Sequence, residues 1–288
     1  MPPDARHLLQ APLGIAGSAR LRYSAAMTLY QAGEISAEVL EVYRSCASLD
    51  GLDARALMAG YGLPDPLLAE ASIGALMSAI ERYLAGLKGQ WSADVARGIK
   101  AAADTPISRQ IPRGNPVIDR HLDTALCAAE ATVPALVDAV RQTAPHLRWI
   151  TYDGYDPNRI GAIFAENHAY TSIIGADGPI RATNFDLGLF LIAPHVLYRD
   201  HNHAAPELYA PLTGPHGWRF GVDTPLLVKP AHDPVWNEAF APHLTKVGPV
   251  PFLSIFVWTS DVEAVAHVIP AQDWAALEAL RIGSGDAT

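Results

Sequence analysis

Between His201 and Pro211 the chain carries two histidines, a glutamate and a tyrosine, in the run His201-Asn202-His203-Ala204-Ala205-Pro206-Glu207-Leu208-Tyr209. Side chains alternate across a β-strand, so His201 and His203 point to one face and can meet the same ion. Glu207 and Tyr209 share a face by the same count, with Pro206 breaking the strand between the two pairs. Neutral imidazole nitrogen and carboxylate oxygen suit Zn, Fe, Mn, Ni or Cu. One divalent transition metal is therefore the expected cofactor, and its identity is open.

A third histidine is expected on a later strand. His243 opens the stretch 243–247, which a Gly-Pro-Val-Pro turn at 248–251 separates from the apolar run 252–258, so the pattern predicts a strand, a turn and a strand, with His243 at the start of a hairpin. The rival, His232, lies between Pro230 and Pro234 in a stretch that reads as loop, where a ligand is held less rigidly. Isolated histidines such as His7, His146, His168 and His267 read as ordinary surface or half-buried residues.

The run His201-x-His203, three residues, Glu207, six residues, Gly214 resembles the first metal-binding motif of the cupin superfamily, small antiparallel barrels that hold a metal between strands. The second cupin motif is not reproduced around His243. A narrower resemblance is to the cupin-type dimethylsulfoniopropionate lyases, on the spacing of Tyr198, His203, Glu207, Tyr209 and His243 and on the phrases 187–194 and Trp258-Thr259. It covers roughly the last 130 residues. The resemblance implies that His203, Glu207 and His243 are metal ligands and that Tyr209 is a further ligand or the base. It gives Tyr198 a second polar role beside the substrate, and makes His201 a ligand or a neighbour of the site. Cleavage of dimethylsulfoniopropionate to dimethyl sulfide and acrylate is the implied activity. The implied partner is a small zwitterionic or carboxylate substrate.

The chemistry is coherent for these residue types. A metal that holds a carboxylate acidifies the proton on the adjacent carbon, a base removes that proton, and a β leaving group departs. A free tyrosine, with a pKa near about 10, is a poor base at neutral pH, but a neighbouring cation favours its phenolate. Tyr198 has the wrong parity relative to His203 for a straight strand and needs a bend or bulge near Arg199-Asp200 to face the same ion. A sulfonium cation favours aromatic faces, and Trp258, Trp218, Tyr152, Tyr155 and Phe190 are available. Two other readings stay open: another metal cupin enzyme, a dioxygenase or isomerase, or a non-catalytic small-molecule-binding cupin.

The elements that must position these residues divide near residue 150. Before it, alanine, leucine and charged residues recur at helical spacing over 36–48, 66–87, 92–103 and 119–143, and the proline-rich 104–116 is an irregular connection. After it, strands are expected at 160–164, 169–175 and 182–192 and through the segments already named, then an amphipathic helix at 271–280 and a frayed polar tail. The fold class is thus α+β: a C-terminal cupin β-barrel, antiparallel and jelly-roll-like, over 151–288, with a helical N-terminal region, 1–150, packed against it. That helical half is placed to cap the barrel mouth or to form a homodimer interface.

Composition narrows the classes of function. A chain of 288 residues, half of them hydrophobic, can bury a substantial core. A formal net charge of −9, with no basic run or Gly-rich phosphate loop, argues against nucleic acid and nucleotides. Cys46 and Cys127 are too few for a disulfide framework. There is no signal-length apolar stretch and no run of transmembrane length, so no membrane is expected and a cytoplasmic location is the default.

Overall fold

The computed structural model describes residues 5–108 and 110–283; the tail expected to fray lies largely outside the described residues, from 284 on. Helices come first: α1 (Ala5–Leu9), α2 (Ser18–Gln31), α3 (Ala37–Cys46), α4 (Ala54–Gly60), α5 (Ala69–Gly86), α6 (Ser92–Ala102), α7 (Pro116–Ala129) and α8 (Pro134–Thr143). Their starts follow capping chemistry. Ser36 and Asn115 each accept a backbone N–H of the first turn, at 3.3 Å and 2.9 Å, and Pro116 and Pro134 sit where a missing N–H costs nothing. Pro134 also explains why 119–143, expected as one helix, is two. Its ring cannot continue the preceding turn, and the break falls at Thr132-Val133.

The segment 160–164, expected as a strand, is helical: α9 (Pro157–Ile160) and α10 (Ala162–Glu166). Asp156 caps Asn158 N–H at 2.9 Å with Pro157 at the first helical position, a helix start that outweighs a five-residue apolar run. Gly161, at φ 98°, separates the two short helices. Ile160 and Phe164, four residues apart, both enter the core.

Among the described residues eleven strands form two sheets. One contains β1 (His168–Gly175), β2 (Ile180–Arg181), β3 (Asp186–Ile192), β5 (Glu207–Pro211), β8 (Val235–Asn237) and β10 (Phe252–Trp258), in the order β2-β1-β3-β10-β5-β8. The other contains β4 (Leu197–Asn202), β6 (His216–Arg219), β7 (Leu227–Lys229), β9 (His243–Lys246) and β11 (His267–Val268), in the order β11-β4-β9-β6-β7. Pairing is antiparallel apart from β1 with β2. The architecture is the expected α+β jelly-roll-like cupin, built as two facing sheets, and among the described residues no ladder closes them into a full barrel. A final helix, α11 (Trp274–Ala279), lies against β4.

β9 and β10 are not the hairpin that the sequence suggested. β9 pairs with β4 and β6, whereas β10 pairs with β3 and β5 in the opposite sheet. Pro249 and Pro251 remove the donors a hairpin ladder would need, and Gly248 spends its carbonyl on His195 N–H at 3.1 Å, in the β3–β4 connection, so 248–251 crosses between layers beside another crossing segment.

Among the described residues three apolar cores result. α1 to α4 enclose their own around Tyr43 and Met58. A second runs without interruption from α5, α7 and α8 onto the outward-facing Leu187, Leu189, Leu191, Leu208, Leu253, Ile255 and Val257, and so crosses residue 150. The third, rich in aromatic side chains, lies between the two sheets. The helical half thus backs one sheet; the residues around the inter-sheet cavity all follow residue 151.

Candidate metal centre and its cavity

Period-two alternation sends one set of side chains inward from three neighbouring strands of the larger sheet: Asp186 and Phe190 on β3, Glu207 and Tyr209 on β5, Phe256 and Trp258 on β10. β4 faces them from the other sheet. Its pairing with β9 shifts register between Tyr198 and His201, the irregularity that parity required, and it brings both side chains to the same interior. Tyr198 lies flat on His201, ring centroids 3.9 Å apart. On its other side it stacks on Phe164 at 4.0 Å.

His201 and His243 are ladder partners across β4 and β9, and His203 follows β4 directly. All three are buried, and one ring nitrogen of each lies within 4.8 Å of the others. Each imidazole is oriented the same way. The Nδ1 atoms of His201, His203 and His243 bond the backbone carbonyls of Arg199, Ala205 and Ala241 at 2.8, 2.8 and 2.9 Å. A carbonyl accepts only, so each Nδ1 carries a proton and each Nε2 turns to the centre, where the neutral ring presents a lone pair. The Nε2 atoms of His201 and His243 are buried with no hydrogen-bond partner. Glu207 Oε2 stands 3.3 Å from His203 Nε2 and 3.4 Å from His243 Nε2. Lone pairs facing a carboxylate at that range, out of water, form a cradle that a cation would satisfy. The donor set, three imidazoles with a carboxylate against two of them, fits a divalent transition metal.

The electrostatics show a demand for positive charge beside Glu207. Burial, with the neighbouring histidines, holds His201 well below the usual imidazole range. Burial also works against the charged forms of His203 and Glu207, yet their mutual attraction raises the histidine and lowers the glutamate. Burial lifts the Tyr209 and Tyr198 phenols well above their ordinary value, and the charge of Glu207 adds to this.

Other positions were less legible. Trp258 donates to Glu207 Oε1 at 2.7 Å and packs its ring on His203. Tyr155 shares a 2.6 Å hydroxyl contact with Tyr198. Asp200, fully buried, takes Arg219 through both carboxylate oxygens and Trp274 through one, tying β4 to β6 and α11 beside the shifted register. Nothing in the spacing distinguished Asp200 from a loop carboxylate. His232 stands apart, bonded to Tyr83 and Thr132 in the helical half. His168 is buried at the cavity, where Tyr152 N–H donates to its Nε2, so the ring is neutral and structural; burial pushes it down to about 4. Gly214, the closing glycine of the motif, faces the backbone of Pro230 and Ala231, where a Cβ would stand 2.3 Å from a backbone nitrogen. That position tolerates no side chain.

A cavity of about 230 Å³ opens beside His203 and Glu207. Tyr152, Tyr155, Tyr198 and Tyr209 line it, and 262–266 borders it from the connection between β10 and β11.

Fold and site together define a cupin with a buried histidine cluster beside an aromatic cavity, joined to it by His203 and Glu207. Residues 91–254, more than half of the chain, match the model of the dimethylsulfoniopropionate lyase family, and the chain belongs to that family. The dimethylsulfoniopropionate lyase DddQ of Ruegeria pomeroyi is 28% identical over 130 residues, 45% of this chain and 63% of that protein. DddL of Cereibacter sphaeroides is 27% identical over 164 residues, 56% of this chain and 66% of its own length. The chain thus spans just under two thirds of each of these relatives. A crystal structure from work on the dimethylsulfoniopropionate lyases RdDddP and RnDddQII superimposes with a TM-score of 0.55 at 19% identity, covering 70% of this chain and all of that one, a likeness of fold. Among the described residues no helix is long and apolar enough to cross a membrane.

Proposed function

We propose that this protein is a metal-dependent carbon–sulfur lyase that cleaves dimethylsulfoniopropionate to dimethyl sulfide and acrylate. The observation that carries the reading is the set of three Nδ1-anchored histidines whose Nε2 atoms converge with Glu207 beside an aromatic cavity, in a chain of this family.

His201, His203, His243 and Glu207 would hold the metal, with Tyr209 adjoining through its place beside Glu207 on β5. A bound divalent ion supplies Lewis acidity toward a substrate carboxylate. Tyr209 is the assigned base: it sits in the cavity two residues from Glu207, and its phenolate, disfavoured by burial, gains from a cation at the histidines. It takes the proton from the carbon next to the carboxylate, the electron pair of that C–H bond forms the new C=C bond, and the C–S pair leaves with sulfur as neutral dimethyl sulfide. Tyr198, held by Tyr155 and stacked on His201, fixes the imidazole and closes the cavity wall to water. The sulfonium end meets the aromatic lining.

Headspace gas chromatography for dimethyl sulfide, on protein with metal and after chelation, tests this directly. The expected result is sulfide only from metal-loaded protein, with Tyr209→Phe slower by roughly 10²–10⁴-fold while metal content and fold persist. A Tyr209→Phe variant of full activity would remove that residue from the reaction.

A further inference from the structure

The cavity is lined by two acidic groups that the elimination does not use: Glu263, exposed on the connection between β10 and β11, and Asp186, on the sheet itself. Asp186 opens β3 on the inner face; its ladder partner is Trp258, and the partner of Trp258 on β5 is Glu207. Two strand spacings, about 10 Å of backbone, therefore separate Asp186 from the metal-site carboxylate along one row of the sheet. Both residues line the same cavity. Asp186 Oδ2 accepts from Ser172 Oγ at 3.1 Å, whereas Oδ1 is buried and has no hydrogen-bond partner. Gly175 leaves room beside that oxygen, since a Cβ there would stand 2.9 Å from it. Among the described residues no lysine or arginine lines the cavity; Tyr152, Tyr170, Phe256 and Trp258, the ladder partner of Asp186, are among its aromatic walls.

A carboxylate buried with half of its acceptor capacity unmet is costly unless something positive arrives. We propose that Asp186 is the counter-ion for the onium end of the substrate, so that the cavity is dipolar, taking a carboxylate at the histidines and a quaternary cation, framed by aromatic rings, between Trp258 and Asp186. This rests on the proposed zwitterionic substrate. Burial pushes the Asp186 carboxyl up to about 6, which fits a group that gains most from its charge when a cation lies beside it. Asp186 would act on specificity, through binding of the departing end, and not on the proton.

Two unreactive probes of one shape separate charge from fit: 3-(trimethylammonio)propanoate and its neutral-tailed isostere 4,4-dimethylpentanoate. Calorimetric titration of metal-loaded protein should give the wild type a preference for the ammonium compound. Asp186→Asn should lose at least about tenfold on the ammonium compound and little on the isostere. Loss on both probes alike, or on neither, would overturn the assignment of Asp186 while leaving the lyase reading intact. A wild type that binds neither probe would count against the lyase reading itself and, with it, the inference. If Asp186→Asn does not fold, Asp186→Ser decides the matter by the same ratio.

Discussion

The two faces of the larger sheet come from the same strands and do opposite work. On β3, β5 and β10 one parity, Leu187, Leu189, Leu191, Leu208, Leu253, Ile255 and Val257, is aliphatic and dry against α5, α7 and α8. The other parity, Asp186, Phe190, Glu207, Tyr209, Phe256 and Trp258, is aromatic or ionisable and borders the cavity. A strand cannot move one face without the other. Rigid packing on the helical side therefore helps hold the inward side chains at fixed separations, although the N-terminal helices do not line the cavity.

The sharpest way to break this division is at the inner face. His203→Ala and Glu207→Ala should each lose bound metal together with activity, by more than the roughly 10–100-fold typical of changes outside the ligand shell, while the melting transition stays cooperative. Metal analysis beside the headspace assay reads both. Retained metal with lost activity in either variant would contradict the assignment of that residue as a ligand.

Leu189→Ala tests the outer face. It should destabilise the protein by about 2–5 kcal/mol in chemical denaturation, with near-normal turnover per folded molecule, because it opens a cavity against the helices and removes no reacting group. A large fall in turnover per folded molecule would show that the two faces are coupled more tightly than packing alone provides.

The smallest expected effect sharpens the border between the faces. His168 has a folded pKa of about 4, below its ordinary 6.5, because burial disfavours the charged ring. A depressed pKa contributes stability that is fully present above the unfolded value and is lost as pH falls from 6.5 through 4. His168→Phe, which keeps an aromatic ring beside Phe164, should therefore show a shallower decline of melting temperature across that window than the wild type. An unchanged slope would mean that other buried groups dominate acid unfolding.

Much of this was legible before any coordinates. His201, His203, Glu207 and Tyr209 lie close in the chain, where strand parity is a local rule, and even the irregularity near Arg199-Asp200 follows from the misfit of Tyr198 to that rule. Local rules also misled. An apolar run at 160–164 looked extended until the Asp156-Pro157 start signal is weighed, and 243–258 looked like a hairpin because adjacency in sequence says nothing about which sheet a strand joins.

Residue types and short spacings, then, determined the donor set, the alternating strands and the helical character of the first half, because each depends on dihedral preference and side-chain direction over a few residues. The tertiary structure alone decided that His243 meets His201 across a ladder, that Asp200 pairs with Arg219 beneath them, that Asp186 shares a cavity with Glu207, and that the helices back the sheet. Those are contacts between distant segments, set by which faces must leave water together, and no local pattern encodes them.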